Sequence, residues 1–541
     1  MLKAMGLAMP EERAWSTVIF WFGALAVIAG VAVHIPMFIA SQTMDHHMAG
    51  MEGMAGMAMA DVPMYHTMAA GMSLIVIGTV AAGYALAFGM RLDGSQTVAN
   101  HASVSIQWGA NSRLGGAHCG LLIVLSMALI IDTMKPATLG FVLPGVAHEY
   151  GLSRSTAALL PLFALSGTAL GSFIWGWWAD ALGRRSAILL AAIIFIGTSI
   201  CGTMPTFEWN LAMCFLMGMS AGGMLPIVFA LLAETIPPRY RGAVLVLLGG
   251  VGVIGGFIAA SGLAALLEPI FGWRILWLLG LPTGIVLVAL NRFIPESPNF
   301  LLLRGRTEEA ISLIARYGAI AKVESAEGQA SHAVPPRSSA RAALLGNGLA
   351  APTIALNLSS ICWGLVNFGI LLWLPTELRA KGSSVSGADV LLAQSALVAL
   401  PTVAITAWMY ARWSTMRTFL LVSVLTTGGL IGVALFGSGF AWIEANHLAV
   451  MVLLICGSAG LAAVLLPYSA EIYPTRVRGK GTGLVAGSGK LGGVLAQCLT
   501  LTPFVPTLAM AAIFLAVAVL VSALLVVQSG IETRGRELLD V

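Results

Sequence analysis

The sequence predicts an all-α polytopic membrane protein, with a core of twelve helices in two repeated halves of six and two extra transmembrane helices at its N-terminus. Of 541 residues, 58% are hydrophobic and 10% are charged, whereas a soluble domain carries about 25% charged residues. Fourteen apolar runs are long enough to cross a bilayer, which takes about 20 residues. A ten-residue segment, AETIPPRYRG at 233–242, returns as AEIYPTRVRG at 470–479.

The apolar runs give the order of the spans, with boundaries soft by a few residues. They occupy residues 15–40, 67–90, 116–143, 157–179, 185–204, 208–233, 242–265, 273–294, 350–376, 388–411, 417–438, 447–470, 480–505 and 507–528. The first run lacks a small-residue cleavage site, which indicates a retained helix rather than a signal peptide. The two copies of the repeat follow the sixth and the twelfth span, so they lie six helices apart and indicate a parallel duplication.

This duplication divides the chain into four segments. We predict a two-helix hairpin with a Met/His-rich loop in residues 1–98 and a first six-helix bundle in 99–294. A polar linker then covers residues 295–346, and a second six-helix bundle with a short tail covers 347–541.

The distribution of basic residues predicts the orientation in the membrane. With both termini in the cytoplasm, 22 of the 28 Lys and Arg residues fall on the cytoplasmic side and four on the opposite side. This excess is what the positive-inside rule describes, and it predicts an integral protein of the bacterial inner membrane. The net charge of +4 therefore reports orientation and not nucleic-acid binding. The six cysteines form no CxxC pair, which disfavours a disulfide framework or a zinc site.

Three motifs resemble the major facilitator superfamily over about residues 115–541. They are GWWADALGRR at 176–185, PESPNFLLLRGRTEEA at 295–310 and ETRGRELLD at 532–540, and the last two are similar to the sugar and organic-ion branches. The resemblance implies alternating access to a substrate held between the two halves. It also implies gating roles for Gly176, which permits close helix packing, for Asp180, which caps the following turn, and for a basic elbow formed by Gly183, Arg184 and Arg185. The cytoplasmic charge network of the family would comprise Glu234, Arg241, Glu471 and Arg478.

Departures from the family patterns narrow the substrate class. The segment 361–375, ICWGLVNFGILLWLP, lacks the Gln-Gln signature of sugar porters, and the fourth core helix reads CFLMG from Cys214 where drug antiporters commonly place Arg. The stretch IDTMKPATLGF at 131–141 resembles the first helix of aromatic-acid/proton symporters, whose paired acids would fall at Asp132 and Lys135. In this chain the second of those positions is a lysine.

Three charged residues lie well inside predicted spans, near the middle of the membrane: Asp132, Lys135 and Lys490. A charge at the bilayer centre costs at least ~2.5 kcal/mol, so such residues usually mark a substrate or ion path. We predict that Asp132 binds a proton and that both lysines meet a substrate carboxylate. The alternative is an internal Asp132–Lys135 ion pair that only holds the helix. Further candidate binding residues are polar or aromatic, namely Trp363, Asn367, Trp373, Gln394, Tyr468 and Gln497.

The segment MDHHMAGMEGMAGMAMADVPMYH at 44–66 is rich in potential copper ligands. Thioether sulfur suits Cu(I), and imidazole suits Cu(II). Methionine is also a flexible filler, so the pattern alone does not decide for a metal. The candidate ligands are Met44, His46, His47, Met48, Met51, Met54 and His66, with Met213, Cys214 and Met217 of the fourth core helix.

The sequence thus favours a secondary transporter that moves a small organic anion, such as an aromatic acid or another carboxylate, together with protons. A copper transporter and a non-transporting membrane sensor are the alternatives. GVGVIG at 250–255 lies within a span without a preceding strand, so it is not a dinucleotide site. We expect no enzymatic activity, no cofactor and no nucleic-acid partner, and we expect a monomer in the lipid bilayer.

Overall fold

The computed structural model describes residues 11–48, 65–93, 103–108, 112–204, 206–324, 348–382, 384–436, 438–473, 475–502 and 506–533. Within these residues, 13 helices are long and apolar enough to cross a membrane. One further helix, at 475–500, spans 26 residues, and its seven glycines and basic first turns lower its hydropathy. Together they account for the predicted twelve-helix core and the two extra N-terminal helices.

The N-terminal hairpin consists of α1 (Glu11–Met48) and α2 (Tyr65–Asp93). The two helices approach closely because glycines face each other: a Cβ on Gly23 would lie 2.5 Å from the Gly78 carbonyl oxygen, and one on Gly30 would lie 2.6 Å from that of Gly71. Such small-residue contacts are typical of membrane helices. The hairpin packs on the third core span, since Val27 and Ile193 belong to one buried cluster.

α1 extends eight residues beyond its predicted end at residue 40. Apolar runs report the length within the membrane, whereas a helix continues until a breaker stops it, and the next glycine is Gly50. The first part of the Met/His-rich segment is therefore helical in the structure.

The first half of the core contains six spans, four of which are interrupted. It comprises α3 (Gly116–Glu149), α4 (Arg154–Ala157) with α5 (Leu159–Leu182), α6 (Arg184–Gly197) with a 3-10 turn (Thr198–Thr203), α7 (Phe207–Ala221) with α8 (Met224–Thr235), α9 (Pro238–Phe271), and α10 (Ile275–Leu278) with α11 (Gly280–Leu290) and a 3-10 turn (Asn291–Phe293). The sequence predicted the spans but not their interruptions.

Two short helices follow the first half, and a small sheet joins a strand before this half to a strand after it. The helices are α12 (Pro298–Leu303) and α13 (Thr307–Arg316). Strand β1 (Ser103–Trp108) pairs antiparallel with β2 (Ala319–Glu324), with Ser103 opposite Glu324 and Trp108 opposite Ala319. The all-α prediction missed this sheet, because each strand is only six residues long and each finds its partner more than 200 positions away.

The second half repeats the arrangement of the first. It comprises α14 (Ala350–Leu365), a π-helical segment (Val366–Leu371) and α15 (Leu374–Ala380), then α16 (Val385–Ala399) with α17 (Pro401–Arg412), α18 (Thr415–Ala434), the short α19 (Ala441–Ala445), α20 (His447–Ile472), α21 (Thr475–Thr500) and α22 (Leu508–Ser529). Both copies of the repeated decapeptide lie at one end of the bundle, where α12 and α13 also lie. We name this end the linker face and the opposite end the far face.

Candidate transport site

The two halves enclose a cavity of about 130 Å³. Its walls come from α3 and α9 of the first half and from α14, the π-helical segment, α15 and α20 of the second half. The lining is mainly apolar and aromatic and comprises Thr133, Pro136, Ala137, Gly140, Phe141, Val253, Ile254, Phe257, Trp363, Asn367, Phe368, Leu371, Leu372, Pro375, Ile455, Ser458 and Ala459. A few polar groups in an apolar pocket are the usual composition of a small-molecule site.

The π-helical segment shapes one wall of this cavity. The Leu372 amide donates to the Asn367 carbonyl at 3.2 Å, an i to i+5 bond that widens the helix and places Asn367 and Phe368 at the cavity. Single π turns of this kind are frequent at functional sites. Ser458 of α20 also lines the cavity, and its buried hydroxyl has no hydrogen-bond partner among the described residues. The wall therefore offers polar groups that a ligand could satisfy.

Asp132 and Lys135 form an ion pair on α3 beside the cavity. Lys135 Nζ lies 3.5 Å from Asp132 Oδ1, and the two side chains are 0% and 7% exposed, in that order. The ammonium group also lies 3.8 Å from the centre of the Phe195 ring. Thr133 and Pro136 of the same turn line the cavity, but the ion pair itself does not. α3 continues through Pro136 as one helix, although the proline cannot donate to the Asp132 carbonyl.

Lys490 lies in the middle of α21 and reaches across to the first half. Its ammonium group donates to the Gly222 carbonyl at 2.9 Å, to the Thr168 carbonyl at 3.4 Å and to the Ser172 hydroxyl. These three acceptors, which we name the lysine cage, match the three protons of an ammonium group. No carboxylate of the described residues forms an ion pair with Lys490.

The lysine cage depends on an interruption of the fourth core span. Helix α7 ends at Ala221 and α8 begins at Met224, so the Gly222 carbonyl lies at the break, where it can accept from Lys490. Only glycines fit there, because a Cβ on Gly222 would lie 2.3 Å from the Thr168 carbonyl oxygen and one on Gly223 would lie 2.2 Å from Trp175 Cβ. Unwound carbonyls of broken helices are typical cation ligands in transporters.

The other predicted binding residues have different positions. Trp363 and Asn367 line the cavity. Trp373 Nε1 donates to Gln497 at 3.1 Å, and Gln497 donates to the Phe368 carbonyl at 2.6 Å, so these two support the π-helical segment from behind. The Tyr468 hydroxyl bonds the backbone of Ile531 at the linker face. Gln394 is exposed and does not line the cavity.

At the linker face, the predicted elbow of the first half is held by two glutamates. Arg184 forms an ion pair with Glu234 at 2.6 Å, and the Arg184 backbone amide donates to Glu296 at 2.8 Å. Ser297 also donates to Glu234. Burial raises the pKa of Glu296 above its ordinary value. Arg185 is exposed, and the side chain of Asp180 lies outside the described part.

The second half repeats this network with different partners. Glu471 accepts from Tyr410 at 2.7 Å and from Thr533 at 2.5 Å. Glu532 accepts from the Thr415 amide at 2.9 Å, as Glu296 accepts from the Arg184 amide. The side chain of Arg478 lies outside the described part.

Sequence reasoning singled out neither Glu296 nor Glu532 as a site residue. The available signal was a Glu followed by Ser or Thr directly after the sixth span of each half.

The two halves also meet at the linker face. A Cβ on Gly242 would lie 2.6 Å from Glu471 Oε1 and 3.2 Å from the Tyr410 ring, so the start of α9 touches the ends of α17 and α20. Arg241 donates to the Ile236 carbonyl of its own half at 3.5 Å. The predicted charge network is therefore partly a network of hydroxyl–carboxylate bonds.

At the far face, ion pairs that the sequence did not predict join the halves. Arg154 pairs with Glu377 at 2.5 Å, and Arg379 pairs with both Glu268 and Asp389 at 2.9 and 3.0 Å. The cavity thus has contacts between the halves on both sides of it. The sequence did not indicate these pairs, because the partners from the two halves lie far apart in the sequence.

The prediction that Gly176 permits close helix packing is wrong. A Cβ on Gly176 would meet no atom within 4 Å, so close helix packing does not explain this glycine. Gly183 has φ 90° and ψ 154°, a region that only glycine adopts without strain.

We therefore expect Gly183→Ala to lower the free energy of unfolding by about 1–3 kcal/mol, because alanine strains the backbone between α5 and α6. Gly176→Ala is the matched control and should change it by less than about 0.5 kcal/mol. Unfolding of both purified variants in detergent measures the difference. Equal stabilities would contradict the assignment.

The copper ligands predicted in the N-terminal segment are not tested by the structure. The described part of the structure does not include the side chains of Met44, His46, His47 and Met48 or any part of Met51 and Met54. His66 is described and is exposed on α2. In the fourth core span, Cys214 is buried with its sulfur 3.8 Å from that of Cys201. Met213 and Met217 pack in the hydrophobic core. The described residues hold no cluster of three or more His, Cys, Asp or Glu side chains suited to a metal.

Two repeated six-helix halves around a central cavity define a membrane transporter. A model of the Major Facilitator Superfamily matches residues 121–497, and the chain belongs to this superfamily. It is an integral membrane transporter and not an enzyme.

Related proteins and structures agree with this assignment. The niacin transporter NiaP of Acinetobacter baylyi is 28% identical, over 79% of this chain and 97% of its own length. The 4-hydroxybenzoate transporter PcaK of Pseudomonas aeruginosa is 27% identical, over 69% and 84%. Among solved structures, the xylose transporter XylE from E. coli superposes with a TM-score of 0.61 at 16% identity, over 78% of this chain and 99% of that chain. At 16% identity, this superposition shows a shared fold and nothing about the substrate.

Proposed function

We propose that the protein moves a small organic anion, an aromatic or related carboxylate, across the bacterial inner membrane together with protons by alternating access. The linker face then lies in the cytoplasm, because 22 of the 28 Lys and Arg residues fall on that side and basic residues are enriched in cytoplasmic loops. The protein acts as a monomer in this proposal. The chain is similar to transporters named for niacin, 4-hydroxybenzoate, gallate and benzoate, which are small aromatic acids. That similarity supports the substrate class.

The observation that carries this proposal is the balance of buried charge beside an aromatic cavity. When charged, Asp132, Lys135 and Lys490 sum to one positive charge, and Asp132 and Lys490 are near enough to interact electrostatically. A monovalent carboxylate would neutralise this charge. Lys490 is adjacent to the cavity wall, because its neighbour Gly489 packs against Trp363: a Cβ there would lie 3.1 Å from the ring.

We assign the aromatic ring of the substrate to the cavity and its carboxylate to Lys490. The aromatic walls of the cavity are Phe141, Phe257, Trp363 and Phe368. Offset or edge-on contacts between two rings contribute about 0.5–1.5 kcal/mol each beyond the burial of apolar area. Asn367 and the Ser458 hydroxyl are available to a polar substituent on the ring. Movement of the halves would let the ammonium group of Lys490 leave the lysine cage and meet the carboxylate.

We assign proton coupling to Asp132. It is the acidic residue of the buried trio, and protonation would release Lys135 from its ion pair and raise the local positive charge. A second positive charge beside the cavity favours an anion, which would link the binding of a proton to the binding of the substrate. In the state in which the cavity opens to the far face, the linker face would be held closed by Gly183, Arg184, Glu234 and Glu471.

Uptake into proteoliposomes tests the proposal. Wild-type protein should accumulate radiolabelled benzoate or nicotinate when the outside is made acidic. Asp132→Asn should lose this accumulation but keep exchange of labelled for unlabelled substrate, because exchange needs no net proton movement. The retained exchange also shows that the variant is folded. Failure of the wild type to transport any carboxylate of such a panel would refute the substrate class, and gradient-driven accumulation by Asp132→Asn would refute the role of Asp132.

A further inference from the structure

A half-buried arginine and two buried carboxylates join the two halves at the far face. The Arg379 guanidinium donates to both oxygens of Glu268, at 2.9 and 3.0 Å, and to both oxygens of Asp389, at 3.2 and 3.0 Å. Glu268 lies near the end of α9 in the first half, whereas Arg379 on α15 and Asp389 on α16 belong to the second half. The Asp389 side chain is 0% exposed and that of Glu268 is 6% exposed.

This cluster has one more negative than positive charge. Two carboxylates share one guanidinium, and they lie close enough to each other to interact directly. The other charged groups nearby have partners of their own: Arg154 pairs with Glu377, and Arg274 pairs with Glu149. A buried site with an uncompensated negative charge is costly, and a single proton shared by the two carboxyl groups removes that cost.

The remaining titratable groups of the packed elements do not supply a positive charge to the cluster. On α3, His148 is exposed at the end of the helix. On α20, the His447 ring packs against Phe436 at 4.8 Å. Lys381, after α15, donates to the Phe436 carbonyl. On α17, Tyr410 and Arg412 lie at the other end, at the linker face.

We infer that Glu268, Arg379 and Asp389 form the gate of the far face and that this gate binds one proton when it closes. The inference rests on the alternating access of the proposed function, which places the far face outside the cytoplasm. When the halves separate, Glu268 leaves with the first half and becomes a hydrated carboxylate, and its proton is released to water. Arg379 and Asp389 remain together as a neutral pair. Closing takes one proton up again, so external acid stabilises the closed gate and alkaline medium opens it.

The gate can be observed without any substrate. His148 and Ser386 are exposed on α3 and α16. Spin labels attached to His148→Cys and Ser386→Cys report the separation of the halves at the far face by pulsed electron paramagnetic resonance. The full-length protein carries Cys119→Ser and Cys498→Ser, so that these exposed cysteines do not take up label. We expect the population with long distances to grow as the pH is raised from about 5 to about 8.

Two variants should remove this pH response. In Glu268→Gln the closed cluster contains one positive and one negative charge and needs no proton, and the same holds for Asp389→Asn. Arg154→Gln is the matched control: it removes the neighbouring ion pair, whose arginine is 43% exposed, and should favour the open gate at every pH while it keeps the pH response. Arg379→Gln should open the gate near neutral pH and close it only in acid.

Two results of these distance measurements would contradict the proposed gate. A wild-type distance distribution that does not change with pH would overturn the inference, as would a pH response of wild-type size in both Glu268→Gln and Asp389→Asn. Because no substrate is present, a failure of carboxylate transport would leave this result unaffected and would count only against the proposed function.

Discussion

Replacing Lys490 by methionine should weaken the binding of benzoate or nicotinate about 10- to 100-fold and leave the binding of the matching amides within about twofold. A hydrogen bond to a charged group is worth about 1.5–3 kcal/mol, and 1.4 kcal/mol is a factor of ten in affinity. The amides, benzamide and nicotinamide, have the same ring without the charge. The ratio of acid to amide affinity therefore isolates the contribution of the ammonium group.

The first half of the protein can accept this substitution, because the lysine cage contains a hydrogen-bond donor of its own. Ser172 already donates to the Thr168 carbonyl at 2.9 Å and to the Gly222 carbonyl at 2.8 Å. When Lys490 is removed, the hydroxyl of Ser172 can still satisfy one of these carbonyls. A methionine fills most of the same volume with no charge, so the side chain can remain packed between α5 and α21.

Lys480→Met is the matched control for Lys490→Met. Lys480 lies on the same helix, α21, but is exposed at the linker face, so its loss changes the net charge equally without touching the cavity. Calorimetric titration of each purified variant with acid and amide measures the four affinities. An unchanged acid-to-amide ratio in Lys490→Met would show that the carboxylate binds elsewhere.

The sequence was sufficient to predict the spans and the three charged residues near the middle of the membrane. Composition and apolar runs fix where helices cross the membrane, because the bilayer imposes the same length on every span. Asp132, Lys135 and Lys490 stood out for the same reason, since a charge within an apolar run is rare. Their pairing at i and i+3 on α3 also follows from helix geometry.

The interruptions of the helices could not be predicted from the sequence. At the break, Gly223 lies directly against Trp175 of a neighbouring span, and Ser172 of that span donates to the Gly222 carbonyl. The π-helical segment is likewise supported by Gln497, 129 positions from the Phe368 carbonyl that it binds. In both cases the local backbone depends on a distant side chain, and a single sequence holds no record of such contacts.

The far-face gate was missed for a related reason. Arg379 and Glu268 are 111 positions apart and lie in different halves. Each looked like an ordinary charged residue at the end of a span, where charge costs little. The packing of α9 against α16, which follows α15 in the chain, brings Glu268 to Arg379 and Asp389.

Replacing Lys135 by methionine should lower the free energy of unfolding by about 3–5 kcal/mol, because removing one partner of a buried ion pair leaves an uncompensated charge. Asp132→Asn should cost less. The lysine that it leaves behind still lies 3.8 Å from the Phe195 ring, and a desolvated cation–π contact is worth about 2 kcal/mol. The double variant should recover most of the stability, because replacing both partners of a buried pair by neutral groups is often close to neutral.

A double-mutant cycle over Asp132 and Lys135 measures this coupling directly, from the unfolding of the four proteins in the same detergent. Arg306 and Glu309 provide the control pair: they have the same i, i+3 spacing, but their side chains are 28% and 56% exposed, and exposed pairs contribute about 0–1 kcal/mol. If the double variant is as unstable as Lys135→Met, the two residues are not coupled through their charges. A large coupling combined with loss of proton-driven uptake in Asp132→Asn would show that one ion pair serves both the fold and the transport cycle.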